Sequence, residues 1–174
     1  MGLLAAGTGP GSFTGLRIGL ATGRGLAAAL GIPAAGVSTL DALACGIAEW
    51  GAEEQRLAVL DARRGEVFAA LYEPGGERSW GPEVLALEDL AERVRATAGG
   101  PVGAGSGALR FRQELAGSGV RIPPDSDPVH RVAARHICAL AAKADRPAGL
   151  EPIYLRPPDA ERWRDRDRTR ADQT

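Results

Sequence analysis

The sequence predicts an α/β protein, because short apolar runs alternate with longer segments of helical periodicity. The first run, Leu3–Gly7, has no polar face, which suits a parallel strand buried on both sides. A glycine-rich turn and a helix follow it, and the order strand, helix, strand, helix is that of a right-handed parallel unit. With 174 residues, the chain can bury about 70% of its unfolded surface in one domain or two small ones.

The first half of the chain has clear element boundaries. A helix is predicted from Thr14, a candidate N-cap, to Leu30, where Gly31 and Pro33 end it. A short strand follows at Ala34–Val37, and Ser38 then begins a helix that runs to about Trp50.

The second half begins near Arg56. Strands at Leu57–Asp61 and Glu66–Tyr72 flank the turn Ala62–Gly65, which predicts an antiparallel hairpin. The turn Pro74–Glu77 follows, and we then expect a helix at Leu87–Ala98, a strand at Pro101–Gly105, helices at Ala108–Ala116 and Val129–Ala144, and a last strand at Ile153–Leu155. This divides the chain into residues 1–55, 56–156 and a charged tail at 157–174.

Small residues recur at every fourth position of the first helix, at Gly15, Gly19, Gly23 and Ala27. Such a stripe lets a second helix approach closely, and dense van der Waals contact can offset the roughly 1 kcal/mol that each glycine costs a helix. The predicted interface consists of the stripe and the side chains beside it, Ile18, Thr22 and Leu26.

The turn before this helix has two readings. Gly9, Gly11, Ser12 and Thr14 could bring backbone N–H groups to a phosphate, or the turn could serve only packing. The dinucleotide-binding fingerprint G-x-G-x-x-G would need a glycine at position 14 after Gly9 and Gly11. The third glycine is instead Gly15, so the motif is missed by one residue. A P-loop is excluded, because the only lysine is Lys143. The packing reading is favoured.

Composition limits the chemistry. The net charge is −1, with 21 basic and 22 acidic residues, so strong direct binding of nucleic acid by this chain alone is not expected. His130 and His136 lack a zinc-binding spacing, and Cys45 and Cys138 form no CxxC pair. We therefore expect no catalytic residues and no metal site. No signal peptide or membrane span is evident, so a cytoplasmic protein is expected.

Four blocks in this order resemble the TsaB (YeaZ) family: Gly9–Gly19, Gly36–Leu40, Asp61–Val67 and Pro152–Arg156. The resemblance implies an actin-like, RNase H-like fold of two α/β halves, related to sugar kinases and heat-shock chaperones. Family members begin with an Asp-Thr-Ser hairpin, which this sequence lacks, so an N-terminally incomplete first half is expected. Leu3–Gly7 would then be an unpaired apolar edge.

The resemblance also implies a function. TsaB supports the related subunit TsaD in forming threonylcarbamoyladenosine at position 37 of tRNA, and it has no catalysis of its own. The implied partners are TsaD, the small ATPase TsaE and, when the chain is alone, a second copy; tRNA would be reached through the complex. The chain alone would bind no cofactor, with ATP or ADP expected only at the junction with TsaD.

One alternative remains from the sequence, an ATP-binding actin-like kinase or hydrolase. Actin-like ATPases place an acid on the corresponding hairpin to position metal-bound water, and Asp61 occupies that place. Aspartate and glycine also favour hairpin corners through local hydrogen bonds, and this structural reading is preferred. The tail at 157–174 interleaves arginines and acids with Trp163 as its one large apolar side chain, which predicts a solvated segment.

Overall fold

A computed structural model describes residues 2–51, 53–97, 99–144 and 148–156. In these residues the elements are β1 (Leu4–Gly7), α1 (Phe13–Leu30), β2 (Ala34–Val37), α2 (Thr39–Trp50), β3 (Arg56–Arg63), β4 (Glu66–Tyr72), β5 (Arg78–Ala86), α3 (Leu87–Arg95), β6 (Val102–Ala104), α4 (Ser106–Arg110), α5 (Arg112–Gly117) and α6 (Ala134–Lys143). A single 3-10 turn, Pro128–His130, precedes α6. The predicted tail lies outside the described residues.

The strands form two sheets. β1 pairs in parallel with β2, from Leu4 opposite Ala34 to Gly7 opposite Val37. The second sheet has the order β5-β4-β3-β6. Within it, β3, β4 and β5 are antiparallel neighbours, whereas β6 runs parallel to β3. The predicted hairpin at Ala62–Gly65 is confirmed as the β3–β4 turn.

Helices cover both faces of the second sheet. On one face, Leu40, Leu43 and Ile47 of α2 pack against β3, β4 and β6. On the other face, Leu90 and Val94 of α3 and Leu115 of α5 pack against β3 and β4. Each of these side chains is almost fully buried, so the main core lies on both faces of β3 and β4.

α2 and α6 connect the two sheets. Ala42 of α2 packs with Ala35 and Val37 of β2 and with Ala141 of α6. α6 comes from the predicted second half, but it lies against β1 and β2 of the first. A division of the sequence at residues 55 and 56 therefore separates the strands of the two sheets but not the helices that cover them.

β1 differs from its predicted burial. All four of its residues are partly exposed, although α1 and α6 both lie against it. The expectation of a strand buried on both sides was wrong. Leu3, just before this strand, is exposed.

Five further features differ from the sequence prediction. Ser12, not Thr14, caps α1, because its Oγ accepts a hydrogen bond from the Gly15 amide. β5 was not predicted, and the helix expected at Ala108–Ala116 is two helices that meet at Phe111. Residues 129–133 precede α6 rather than belonging to it, and Ile153–Leu155 is not a strand.

The first helix and the cleft beside it

One face of α1 is buried within the chain. Leu20, Gly23 and Ala27 lie on this face. A Cβ added to Gly23 would lie 3.2 Å from Leu150 Cδ1 and 3.3 Å from Leu4 Cδ2. Glycine at this position therefore makes room for side chains of the same molecule.

The opposite face of α1 is exposed and partly apolar. Ile18, Leu26 and Leu30 are 64%, 50% and 65% exposed. Gly15, Gly19 and Thr22 are exposed on the same side. A Cβ added to Gly19 would have no neighbour within 4 Å, so the surface over this residue is open.

The predicted stripe therefore does not form one surface. Successive residues in an i, i+4 row turn by about 40° around a helix of 3.6 residues per turn, so four of them span about 120°. Gly15 and Gly19 consequently face outward with Ile18, Thr22 and Leu26, whereas Gly23 and Ala27 face the core. The structure corrects the placement of these last two residues.

The turn before α1 is shaped by packing at its first glycine. Gly9 has φ 101°, and a Cβ there would lie 2.9 Å from Leu16 Cδ1 and 3.0 Å from the Ile153 carbonyl oxygen. Its own carbonyl accepts a hydrogen bond from the Thr39 amide at 2.7 Å. Gly11, Ser12 and Thr14 are exposed at the N-terminus of α1. Of the four candidate phosphate-binding residues, Gly9 is therefore packed and the other three are open to solvent.

Residues 148–156, here called the strap, run along α1 toward its N-terminus. Arg24 donates to the Leu150 carbonyl at 2.5 Å and pairs with Glu151 at 3.0 Å. Further along, Arg17 Nε donates to the Tyr154 hydroxyl at 3.2 Å. The strap then crosses to the β3–β4 hairpin, where Arg156 donates to the Ala62 carbonyl and pairs with Glu66.

A cleft of about 340 Å³ lies where the turn, the hairpin and the strap meet. Its walls are Pro10–Phe13 at the start of α1, Asp61–Arg63 on the hairpin, and Ile153–Arg156 on the strap. The cleft thus brings together the candidate phosphate-binding turn and Asp61, the hairpin acid that the sequence compared with the metal-positioning acid of actin-like ATPases.

The Asp61 carboxylate is already engaged by groups of the chain. One oxygen accepts from Arg110 Nη1 at 2.8 Å, and the other accepts from the Arg63 amide at 2.8 Å. Burial alone would raise the pKa of this carboxyl, but these hydrogen bonds and the Arg110 and Arg63 charges outweigh burial and hold the pKa below its usual range. Asp61 therefore acts here as an ionised acceptor that fixes the hairpin tip.

Both histidines are buried. His130 Nδ1 accepts from the Gly105 amide at 3.3 Å, and its Nε2 lies 3.2 Å from the Pro123 carbonyl. His136 Nε2 lies 3.8 Å from a Glu49 oxygen. Among the described residues, no three His, Cys, Asp or Glu side chains converge as metal ligands would.

Sequence reasoning missed two parts of this region. Leu30 continues the exposed row of Ile18, Thr22 and Leu26, and its i, i+4 spacing could have revealed it. Arg63 and Arg64 both have positive φ, 67° and 56°. No pattern in the sequence signals this conformation, because arginine rarely adopts it.

Comparison with known proteins shows the family to which this chain belongs. A family model described as TsaD, tRNA N6-adenosine threonylcarbamoyltransferase, matches residues 1–119. Two structures from Pseudomonas aeruginosa are similar in fold, one described as YeaZ, with 30% identity, a TM-score of 0.69, and coverage of 88% of this chain and 74% of that one. The chain belongs to the TsaB (YeaZ) branch of this family. The predicted α/β, actin-like fold class is thereby confirmed.

The chain is also similar in sequence to curated proteins, one of which is named TsaB. An uncharacterized protein of Mycobacterium tuberculosis is 40% identical over 160 residues, which is 90% of this chain and 65% of that protein. The TsaB protein of Escherichia coli, whose name refers to tRNA threonylcarbamoyladenosine biosynthesis, is 42% identical over 108 residues, or 60% of this chain and 47% of that protein. The chain thus spans less than two thirds of the length of each of these two relatives. Within the part of the chain that the structure describes, no helix is both long and apolar enough to cross a membrane.

Proposed function

We propose that this chain takes part in the biosynthesis of threonylcarbamoyladenosine in tRNA as a supporting subunit that binds TsaD and is not catalytic alone. The names of its TsaB relatives and the TsaD family model support the pathway. The observation that carries the proposed role is the exposed apolar face of α1, formed by Ile18, Leu26 and Leu30 beside the open glycines Gly15 and Gly19.

This face has the properties of a helix-packing surface. Burying the exposed parts of Ile18, Leu26 and Leu30 would contribute on the order of 1–2 kcal/mol each. Because Gly15 and Gly19 carry no side chain, a second helix can approach the backbone of α1 closely at its N-terminal half. Thr22 lies between the two regions and supplies a hydroxyl without much bulk.

The remaining parts of the proposal concern the assembly. TsaD would hold the metal and transfer the threonylcarbamoyl group, and TsaE would join near the junction of the two subunits. ATP or ADP would bind at that junction and not to this chain alone. In the absence of TsaD, two copies of the chain would pair through the same face of α1.

The engaged state of Asp61 favours this role over an active kinase or hydrolase. An actin-like ATPase needs a free acid on this hairpin, whereas both Asp61 oxygens accept hydrogen bonds from the protein. Calorimetric titration of the isolated chain with ATP and magnesium tests the point. Tight binding with turnover would contradict a non-catalytic subunit.

A substitution on the open face tests the interface. Gly19→Leu places a side chain where a partner helix would approach, and its Cβ would have no neighbour within 4 Å outside the adjacent backbone of α1. We expect the variant to fold normally and to lose co-elution with TsaD in size-exclusion chromatography, because the leucine separates the two backbones.

Ala28→Leu is the matched control, since Ala28 is exposed on the same helix but on a different side. It should co-elute with TsaD as the parent chain does. If Gly19→Leu retains full co-elution, or if both variants lose it equally, this face of α1 is not the interface.

A further inference from the structure

The tip of the β3–β4 hairpin has an unusual backbone. Arg63 and Arg64 are consecutive, exposed and both in the left-handed region, with φ 67° and 56°. For a side chain with a Cβ this conformation costs about 1–2 kcal/mol per residue. Asp61 holds the tip in place by accepting the Arg63 amide hydrogen bond at 2.8 Å. The chain therefore maintains two arginines at a position where glycine or asparagine would be less strained.

The same region carries an excess of positive charge. Four arginines line the cleft or hydrogen-bond to its lining residues, namely Arg17, Arg63, Arg110 and Arg156, and Arg64 follows Arg63 at the tip of the hairpin. Two acids lie among them, Asp61, which binds Arg110, and Glu66, which binds Arg156. The chain as a whole has a net charge of −1, so positive charge is concentrated at this edge.

Two aromatic rings form the opposite side of the cleft. Phe13 and Tyr154 are 36% and 41% exposed, and their ring centroids lie 5.4 Å apart. The Arg17 guanidinium lies 3.9 Å from the Phe13 ring centroid and also donates to the Tyr154 hydroxyl. Arg17 therefore fixes both rings in place while leaving part of each open to solvent.

We propose that this cleft edge contacts a single-stranded segment of RNA. Arg63 and Arg64 meet backbone phosphates, and the exposed rings of Phe13 and Tyr154 stack on an unpaired base. Guanidinium groups bind phosphate oxygens in a forked geometry, and unstacked bases pack on aromatic side chains. The inference rests on the proposed function, which brings a tRNA to the assembly that contains this chain.

The size and charge of the cleft determine how tightly it can bind RNA. A volume of about 340 Å³ is at the small end of ligand pockets, so it admits one nucleotide rather than a duplex. Two or three phosphate contacts give weak, salt-dependent binding. The site therefore adds to the affinity of an assembly and does not by itself hold tRNA tightly, in agreement with the near-neutral charge of the chain.

The experiment measures fluorescence anisotropy of a labelled 12-nucleotide single-stranded RNA with the full chain at 50 and 200 mM salt. Arg63→Gly removes the guanidinium and suits a positive φ, so its Tm should equal or exceed that of the parent. Its affinity for the RNA should fall about fivefold or more, with a salt slope smaller by about 1.

Arg95→Ala is the charge-matched control, because Arg95 is exposed on α3 and is not among the residues that line the cleft. Its RNA affinity should change less than twofold. Equal losses for Arg63→Gly and Arg95→Ala would show that only overall charge matters and would overturn the proposal.

The aromatic side is tested with a pair of variants. Tyr154→Leu should weaken binding of the single strand severalfold, whereas Tyr154→Phe keeps a ring and should bind as the parent does. Preference for a duplex of the same sequence would overturn the proposal. Binding of AMP without binding of RNA would also overturn it, because the site would then recognise a free nucleotide.

Co-elution of the Arg63→Gly variant with TsaD separates this inference from the proposed function. The variant should co-elute with TsaD as the parent does while binding RNA more weakly. If the parent fails to co-elute with TsaD, the proposed function is wrong, and the RNA measurements on the isolated chain still decide the RNA contact.

Discussion

At the scale of single residues, the glycines that matter most are those where two backbones approach. Gly105 joins β6 to α4 with φ 116°, and a Cβ there would lie 2.2 Å from the Val59 carbonyl oxygen and 2.8 Å from Leu43 Cδ2. The Gly105 amide donates to the buried His130 ring. Dense contact within the chain thus explains the glycine at this turn.

Gly105→Ala should destabilise the chain by about 3 kcal/mol or more, because the methyl group meets a backbone oxygen and the φ value is strained for alanine. Urea unfolding followed by circular dichroism measures the change. Gly117→Ala is the control, since a Cβ at Gly117 meets nothing within 4 Å. Comparable stability of the two variants would contradict the packing at Gly105.

Asp61→Asn should change how stability depends on pH. The folded pKa of Asp61 is held below its unfolded value, so the carboxylate stabilises the fold above about pH 4 and loses this effect as the pH falls through the folded pKa. The difference in unfolding free energy between parent and Asp61→Asn should therefore be constant from pH 7 to pH 5 and shrink below pH 4. A constant difference down to pH 2 would show that Asp61 is not the titrating group.

At the scale of elements, periodicity predicted α1, β2, α2 and the β3–β4 hairpin well, although α1 is capped by Ser12 and not by Thr14. β5 was missed because Gly81 and Pro82 interrupt its alternation, and proline is tolerated there since β5 is an edge strand. The helix expected from Val129 begins only at Ala134, because the preceding segment directs His130 into the core. Local sequence does not encode such tertiary contacts.

The candidate site was predictable only in part. The sequence spacing grouped Gly15, Ile18, Gly19, Thr22 and Leu26, and the structure places these small and apolar residues on one exposed face. The same spacing could not reveal that Gly23 faces the core, because its neighbour Leu150 is 127 positions further along the chain. Whether the exposed face binds TsaD stays a prediction.

Two glycines of α1 should respond oppositely to alanine. Gly25→Ala should raise the unfolding free energy by about 1 kcal/mol, because a Cβ there meets nothing within 4 Å and alanine is the better helix former. Gly23→Ala should lower it, since its Cβ would lie 3.2 Å from Leu150 Cδ1. Thermal unfolding of both variants tests this, and the same sign for both would contradict the two faces assigned to α1.

At the scale of the whole molecule, the strap ties α1 to the β3–β4 hairpin. The Ile153 amide donates to the Thr8 carbonyl at 2.7 Å, and the Gly36 amide donates to the Ala148 carbonyl at 2.7 Å. Leu150 is buried between these anchors against α1. Residues far apart in sequence thus close the edge where β1 and β2 end.

Leu150→Ala should release the strap, because it leaves a cavity against Gly23 and Leu4 that costs about 2 kcal/mol or more. We expect a lower Tm and faster limited proteolysis within residues 148–156. Leu26→Ala is the control, because Leu26 is half exposed, and its proteolysis should match that of the parent. Unchanged cleavage in Leu150→Ala would show that the hydrogen bonds alone hold the strap.

The shared position of α2 has a consequence for motion. Its leucines belong to the core of the second sheet, while Ala42 belongs to the core of the first. Hinged enzymes of two lobes close over their substrates by rotating one lobe against the other, and such rotation needs a joint with few buried contacts. Because α2 contributes to both cores, rotation of one sheet against the other would have to break buried contacts of this helix.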